Sequence, residues 1–270
     1  MTRAHVPPLA HPAQAGRLPG GHPEPTPQGS GEATHGVARD NHLLACLPDA
    51  VWQRWQPQLE AVDLPLGEVL CEPGEHLTHV VFPTTAIVSL MYLTENGNSA
   101  EIAVIGHEGM VGIWLPLGGG STPSRDVVSS AGRGFRLPTN VLLEEFNRSA
   151  AVMHLLLRYT QALLTQISQM AVCNRHHSVE QRLSHWLLLR QDSLGSNHIA
   201  ATHELIATML GIRREGVTEV AGRLQKDGLI AYRRGLIEVL DRKRLEARSC
   251  ECYRVLKKEY DRLLPAAIAT

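Results

Sequence analysis

The residues whose types and spacing could do chemistry lie between positions 202 and 240. Arg213, Arg214, Glu215, Thr218 and Glu219 fall within seven residues. On a helix whose inward stripe is Val217, Val220 (or Ala221) and Leu224, they share the opposite, outward side. Guanidinium forks beside carboxylate and hydroxyl acceptors are the groups that read base edges in a major groove. Farther on, Arg233-Arg234-Gly235 is a doubly basic tip, suited to phosphate contacts that add affinity without sequence information. The expected DNA-contact set is Thr202, His203, Arg213, Arg214, Glu215, Thr218, Glu219, Arg223, Arg233 and Arg234.

These residues need a frame to hold them. Thr202 is the expected N-cap of a short helix through Leu210, with Leu205, Ile206 and Met209 turned inward. Gly211-Ile212 can reverse the chain tightly, because glycine takes the left-handed conformation at no cost. The next helix runs from Arg214 to Lys226 and stops at Asp227-Gly228. Two apolar runs, Leu229–Tyr232 and Leu236–Leu240, then flank the basic tip as a strand pair. Helix, sharp turn, helix and basic hairpin make the layout of a winged helix-turn-helix.

Upstream, Met153, Thr160, Ile167 and Asn174 recur every seven residues, interleaved with Leu156, Leu163 and Met170. That a/d spacing predicts a helix over about 150–176 with a parallel dimer seam, which Leu157 and Leu164 widen. Before it, Val69–Cys71, Val80–Phe82, Ile87–Leu93 and Glu101–Ile105 are short strands set off by turns such as Glu72-Pro73-Gly74-Glu75 and Asn96-Gly97. The first forty residues are rich in Pro, Gly, His and Ala without hydrophobic period, so a disordered tail is expected. Its histidines (His5, His11, His22, His35) are too irregularly spaced to suggest a metal site. The expected fold is therefore α+β: a tail (1–40), an antiparallel, jelly-roll-like β-roll sensor (41–148), a long dimerisation helix (149–178), and a winged helix-turn-helix with a C-terminal helix (179–270).

Charge agrees with that division. Residues 1–174 hold 9 Lys and Arg against 15 Asp and Glu; residues 175–270 hold 17 against 12. A basic C-terminal third on an acidic body suits a polyanion partner. Five scattered cysteines point to a reducing compartment, and no apolar run reaches the length of a signal peptide or membrane span, so a cytoplasmic protein without membrane contact is expected.

Residues 202–240, together with the order β-roll, long helix, winged helix, resemble the Crp/Fnr transcription regulators over roughly residues 45–245. The resemblance is firmest at Gly211 through Glu215, Gly222 through Ile230, and the Gly67…Pro73-Gly74-Glu75 turn. It implies a homodimer that binds a two-fold symmetric operator, with RNA polymerase as a further partner. By position, Arg214 and Glu215 match the family's base-reading Arg and Glu, and Thr218 a position that holds a base-contacting Ser in some members. Glu219 stands where many members have a second base-reading Arg; a carboxylate accepts from cytosine but cannot donate to guanine, so a different half-site is expected. Arg213 replaces a frequent Ser or Thr, giving up a capping oxygen worth about 1 kcal/mol.

Cyclic-nucleotide-binding members pair Gly-Glu for the ribose with Arg-Ser/Thr for the phosphate. Here Gly112 is followed by Ile113, and Arg125 by Asp126, whose carboxylate works against a buried phosphate. Arg125 is the candidate for an effector contact; cAMP and cGMP are not expected, and another small-molecule effector stays open. No N-terminal cysteine cluster supports an iron–sulfur centre, and His76, His79, His107 and His154 offer a haem nothing specific. No cofactor and no metal are expected.

Cys250 and Cys252 fall in an expected C-terminal helix from Arg242 to Leu263, capped by Asp241, with Leu245, Cys252, Leu256 and Leu263 inward. Two residues apart on a helix, the thiols diverge by about 200° and could neither chelate one ion nor form a disulfide. Cys250 as an exposed, redox-reactive thiol is the other reading. Two further classes compete with a regulator. One is a dimeric scaffold or effector-binding protein whose winged helix contacts protein, suggested by Glu219. The other is a cupin-like metal enzyme, for which the chain offers His76-x-x-His79 in place of His-x-His. No enzymatic activity is expected.

Overall fold

A computed structural model describes residues 38–95 and 99–264. Most of the expected tail, its four histidines and the Asn96-Gly97 turn lie outside those residues. Ala38 is fully buried, and Arg39 pairs with Asp49 at 3.1 Å over the Trp52 ring, so residues 38–40 belong to the folded body and not to a tail. Two short helices follow, α1 (His42–Ala45) and α2 (Asp49–Trp55).

Among the described residues seven strands form the roll: β1 (Glu60–Leu64), β2 (Val69–Cys71), β3 (His79–Pro83), β4 (Ile87–Leu93), β5 (Ser99–Ile105), β6 (Arg125–Ser130) and β7 (Gly132–Pro138). They make two sheets, β1-β7-β3 and β2-β6-β4-β5, with every pair antiparallel. Gly74 takes φ +84° in the turn after β2, where the sequence placed one. In β4, five successive residues from Ile87 to Met91 are buried, unlike the alternation of a strand with one wet face. Val88 and Leu90 point into the roll, whereas Met91 belongs to the core of the C-terminal half.

Helix α3 (Thr139–Arg148) leads into α4 (Ala150–His176), capped by Ser149, whose hydroxyl accepts from Val152 N. Helix α4 does not turn the expected heptad positions outward together. Leu156, Leu163 and Met170, expected in the seam, are only 2%, 6% and 8% exposed. Leu156 and Leu163 pack into the chain's own core beside Val152, Leu155, Tyr159 and Ala162. The stripe left on the outward side is instead Met153, Leu157, Thr160, Leu164, Ile167, Ala171 and Asn174, alternating four and three apart; Leu157 is 42% and Leu164 59% exposed, whereas Met153, Thr160 and Ile167 are half-buried, Ile167 against the chain's own core. Of the seven expected seam residues, Met153, Thr160, Ile167 and Asn174 therefore stay on the outward side, whereas Leu156 and Leu163 are turned into the roll and Met170 is buried beside Arg182 and His185.

The C-terminal half contains α5 (Val179–Leu194), β8 (His198–Ala200), α6 (His203–Leu210), α7 (Arg214–Lys226), β9 (Ile230–Arg233), β10 (Leu236–Val239), α8 (Arg242–Arg248) and α9 (Glu251–Leu263). A Ser178/Gln181 capping box starts α5. Strand β8, not expected from the sequence, pairs with β10 to complete the sheet β8-β10-β9. The expected helix from Arg242 to Leu263 is two helices, broken at Ser249 and Cys250, both extended. Asp241 does cap the first of them, accepting from Arg244 N at 2.9 Å. Leu245, Cys252, Leu256 and Leu263 are all buried, as their period required.

The described residues fall within one compact unit, and α6 packs against β5. A buried ion pair crosses the same boundary: Arg190 of α5 lies 3.0 Å from Glu101 of β5. Among the described residues no helix is long and apolar enough to cross a membrane.

Candidate nucleic-acid interface

Helix α6 begins at Thr202, whose hydroxyl accepts from Leu205 N at 3.1 Å. It ends at Gly211, with φ +60° and ψ +41°. That left-handed residue turns the chain into α7 within three residues, which only glycine does without strain. Arg213 occupies the N-cap of α7 and makes no side-chain cap, as its residue type implies. Val217, Val220, Ala221 and Leu224 are buried beneath the helix, whereas Arg213, Arg214, Glu215, Thr218, Glu219 and Arg223 are exposed.

The expected contact residues divide by their engagements. Among the described residues no ion pair holds Arg213, Arg214, Glu215, Arg233 or Arg234. Arg223 and Glu219 instead pair with each other at 2.7 Å, and Arg223 also lies 3.5 Å from Glu180 of α5. Arg248 joins the group, 2.7 Å from Glu180 and 2.9 Å from Asp227. Glu219 is thus a partner of Arg223 on the helix surface, a pairing its i,i+4 spacing allowed.

His203 is half-buried. Its ring stacks on Tyr232 at 4.3 Å, and its Nδ1 lies 2.9 Å from the Thr218 hydroxyl, which donates to the Arg214 carbonyl. Burial and then the Arg214 charge hold the imidazole below its ordinary pKa. His203 therefore ties α6, α7 and β9 together, and Tyr232, which the sequence reading left out, completes the stack.

The wing turns through Arg234 and Gly235, both with positive φ (49° and 82°), and Arg233 pairs with Leu236 across it. A two-residue turn of this kind matches the twist of the strands it joins. Arg233 and Arg234 are exposed at its tip, and Gly235 approaches Thr202 at the start of α6. The N-terminal end of α7, the start of α6 and the basic tip thus form one patch.

In the roll, Arg125 is held by Glu72, Nε to Oε2 at 2.8 Å and Nη2 to Oε1 at 2.5 Å. Asp126 beside it is fully buried, with one oxygen unpartnered and the other accepting from the Ser124 hydroxyl at 3.3 Å. Burial pushes its carboxyl up from 3.8 to about 7, the Ser124 hydrogen bond opposing. Because the folded state holds that proton more tightly than the unfolded chain, its contribution is complete below pH 4 and lost as pH rises through about 7. Wild-type stability is expected to fall by roughly 2–3 kcal/mol more than that of Asp126→Asn between pH 5 and pH 8. Urea unfolding of both proteins at the two pH values measures the difference, and parallel curves would leave Asp126 ionised in the fold. Between the roll and helices α4, α5 and α9 lies a cleft of about 300 Å³, lined in part by His107, Glu108, Asp192, Lys257 and Asp261.

Residues 181–248 match the Crp-like helix-turn-helix domain. No curated protein matches the sequence. Among solved structures, FixK2 of Bradyrhizobium japonicum is similar with a TM-score of 0.63 at 16% identity, over 71% of this chain and 98% of that one. A protein of Eubacterium rectale assigned to the Crp/Fnr family of transcriptional regulators gives 0.59 at 20% identity, over 77% and 95%. CLP of Xanthomonas campestris, described as a c-di-GMP-responsive global regulator, gives 0.55 at 14% identity, over 71% and 99%. At these identities the likeness is one of fold.

Proposed function

From a Crp-like helix-turn-helix domain at residues 181–248, carried on the fold of the Crp/Fnr transcription regulators, we propose that the protein binds double-stranded DNA sequence-specifically as a homodimer. The observation that carries this reading is the patch at the start of α7. Arg213, Arg214, Glu215 and Thr218 face solvent, the first three outside any ion pair among the described residues, beside a two-arginine tip. Within it Arg214 and Glu215 read bases, Arg213 adds a cation near the backbone, and Arg233 and Arg234 hold phosphate. Thr218 and His203 act together, since each holds the other. Thr202 positions α6, and Arg223 and Glu219 brace the helix through Glu180.

The proposed dimer uses the outward stripe of α4. The roll acts as a sensor or partner surface for something other than a cyclic nucleotide: Arg125 is occupied by Glu72, and the carboxylates of the 300 Å³ cleft outnumber its one lysine. RNA polymerase is the proposed protein partner, the cytoplasm the proposed location, and no catalysis is assigned.

Selection of bound sites from random-sequence DNA, with and without cell extract, tests the reading and reveals any effector requirement. On the selected operator, Arg214→Ala is expected to weaken binding by about 1–3 kcal/mol and relax specificity at one position. Arg233→Ala with Arg234→Ala should weaken binding to every sequence and flatten its salt dependence. Binding that does not saturate, or that ignores salt, would leave the winged helix as a protein-contact surface.

A further inference from the structure

Four ligand atoms converge where the end of α4 meets the start of α9. The sulfurs of Cys173, Cys250 and Cys252 and a ring nitrogen of His177 all lie within 4.8 Å of one another. Cys173 Sγ stands 3.5 Å from Cys250 Sγ, and Cys252 Sγ stands 3.7 Å from His177 Nδ1. Around a tetrahedral zinc ion, with Zn–S of about 2.3 Å and Zn–N of about 2.0 Å, neighbouring ligand atoms sit about 3.6–3.8 Å apart. The cluster is already close to that size. One ion fits within this span; a four-iron cluster, whose ligands sit on separate irons, does not.

The surroundings suit a metal as well. Nε2 of His177 lies 3.4 Å from a carboxylate oxygen of Glu251, which fixes the ring with Nδ1 toward the sulfurs. His185 Nδ1 lies 3.7 Å from Cys173 Sγ and 3.8 Å from Cys250 Sγ, placed to donate to thiolates. All three cysteines are buried, and they form a cluster of their own apart from the two larger cores. The break before α9 removes the helical geometry from which Cys250 and Cys252 are expected not to chelate one ion. With the helix interrupted at Ser249–Cys250, Cys250 is neither exposed nor on the far side of a helix from Cys252. Cys173 and His177 are four apart at the end of α4, so they share a face.

We propose that Cys173, His177, Cys250 and Cys252 form a closed, tetrahedral site for a structural Zn²⁺ ion. All four positions are filled by protein, which leaves none for a reacting water. The ion ties the last turn of α4 and its C-cap to α9, across the point where the chain leaves the long helix for α5.

The 270-residue chain purified without chelator is expected to carry one zinc per chain by elemental analysis. A strong chelator should remove it and lower the thermal midpoint, and added zinc should restore both. Cobalt(II) added to the metal-free protein should give the visible bands of a tetrahedral ion together with thiolate-to-cobalt charge transfer. Cys252→Ser and His177→Ala should lose the zinc, whereas Cys46→Ser keeps it. If those variants do not fold, the cobalt spectrum of the unaltered chain decides. Metal-free protein as isolated, with no charge-transfer band on cobalt addition, overturns the proposal. So does a charge-transfer band that a folded Cys252→Ser variant leaves undiminished.

Discussion

Glu101→Ala is expected to destabilise the protein by about 3–5 kcal/mol, the usual cost of removing one partner of a buried ion pair. Glu101 and Arg190 are both almost completely buried, on β5 and α5 respectively. Arg190 Nη2 lies 3.0 Å from Glu101 Oε2, 3.0 Å from the Ser129 hydroxyl and 3.3 Å from the Ser89 hydroxyl, and Ser89 also donates to Glu101. The guanidinium lies over the Trp186 ring at 3.9 Å. Burial alone pulls its pKa down, and Glu101 is what opposes this. Without the carboxylate the cation is left in a dry site with hydroxyls and one aromatic face.

At this size the loss corresponds to a fall of roughly 6–20 °C in thermal midpoint. Glu101→Leu combined with Arg190→Met should regain most of it, because removing both charges removes the desolvation problem along with the attraction. Urea unfolding of the two single variants and the double variant gives the coupling directly. A loss below about 1 kcal/mol for Glu101→Ala would mean that water reaches the pair and that the boundary between roll and winged helix opens in solution. The position matters because Ser89, Glu101 and Ser129 come from three strands of one sheet and Arg190 from the helix that leads into the helix-turn-helix. The joint fixes where that helix sits on the roll.

The parts of this architecture that were legible in the sequence are those set by signals acting within a few residues. The bounds of α4 follow from its apolar period and the polar residues at its ends. The α6–α7 turn follows from Gly211, and the wing from Arg234-Gly235 between two apolar runs. What was not legible depends on partners far along the chain. Two interleaved seven-residue repeats run down α4, and periodicity alone cannot say which one the roll covers. Packing against residues such as Met110, whose carbonyl accepts from Tyr159, selects the repeat of Leu156 and Leu163. Likewise, nothing local breaks a helix at Ser249–Cys250, since both residues tolerate helical backbone. The break becomes intelligible only once Cys173, 77 residues upstream, is seen beside Cys250. Glu180 is a third instance, reaching Arg223 and Arg248 from another helix.

The rotated stripe on α4 gives the sharpest test of the proposed dimer. Leu157→Asp combined with Leu164→Asp is expected to convert a species of twice 29.6 kDa into one of 29.6 kDa by light scattering, with the helical content of the chain unchanged. Both side chains are exposed within the protomer, so the fold does not depend on them. In a parallel pairing the two copies meet, and covering the remaining area of four leucines contributes about 1 kcal/mol each, or roughly a thousandfold in dissociation constant. Facing aspartates add repulsion to that loss. Binding to a two-half-site operator should weaken steeply with it, since a monomer can engage only one major groove where the pair spans about 34–36 Å. Leu163→Asp provides the opposing control: it places a carboxylate among Leu155, Leu156 and Tyr159, and should unfold the chain before it separates two copies. If Leu163→Asp instead gave a folded monomer while the Leu157 and Leu164 variant stayed dimeric, the seam would lie on the inner repeat and α4 would have to turn about its axis to form it.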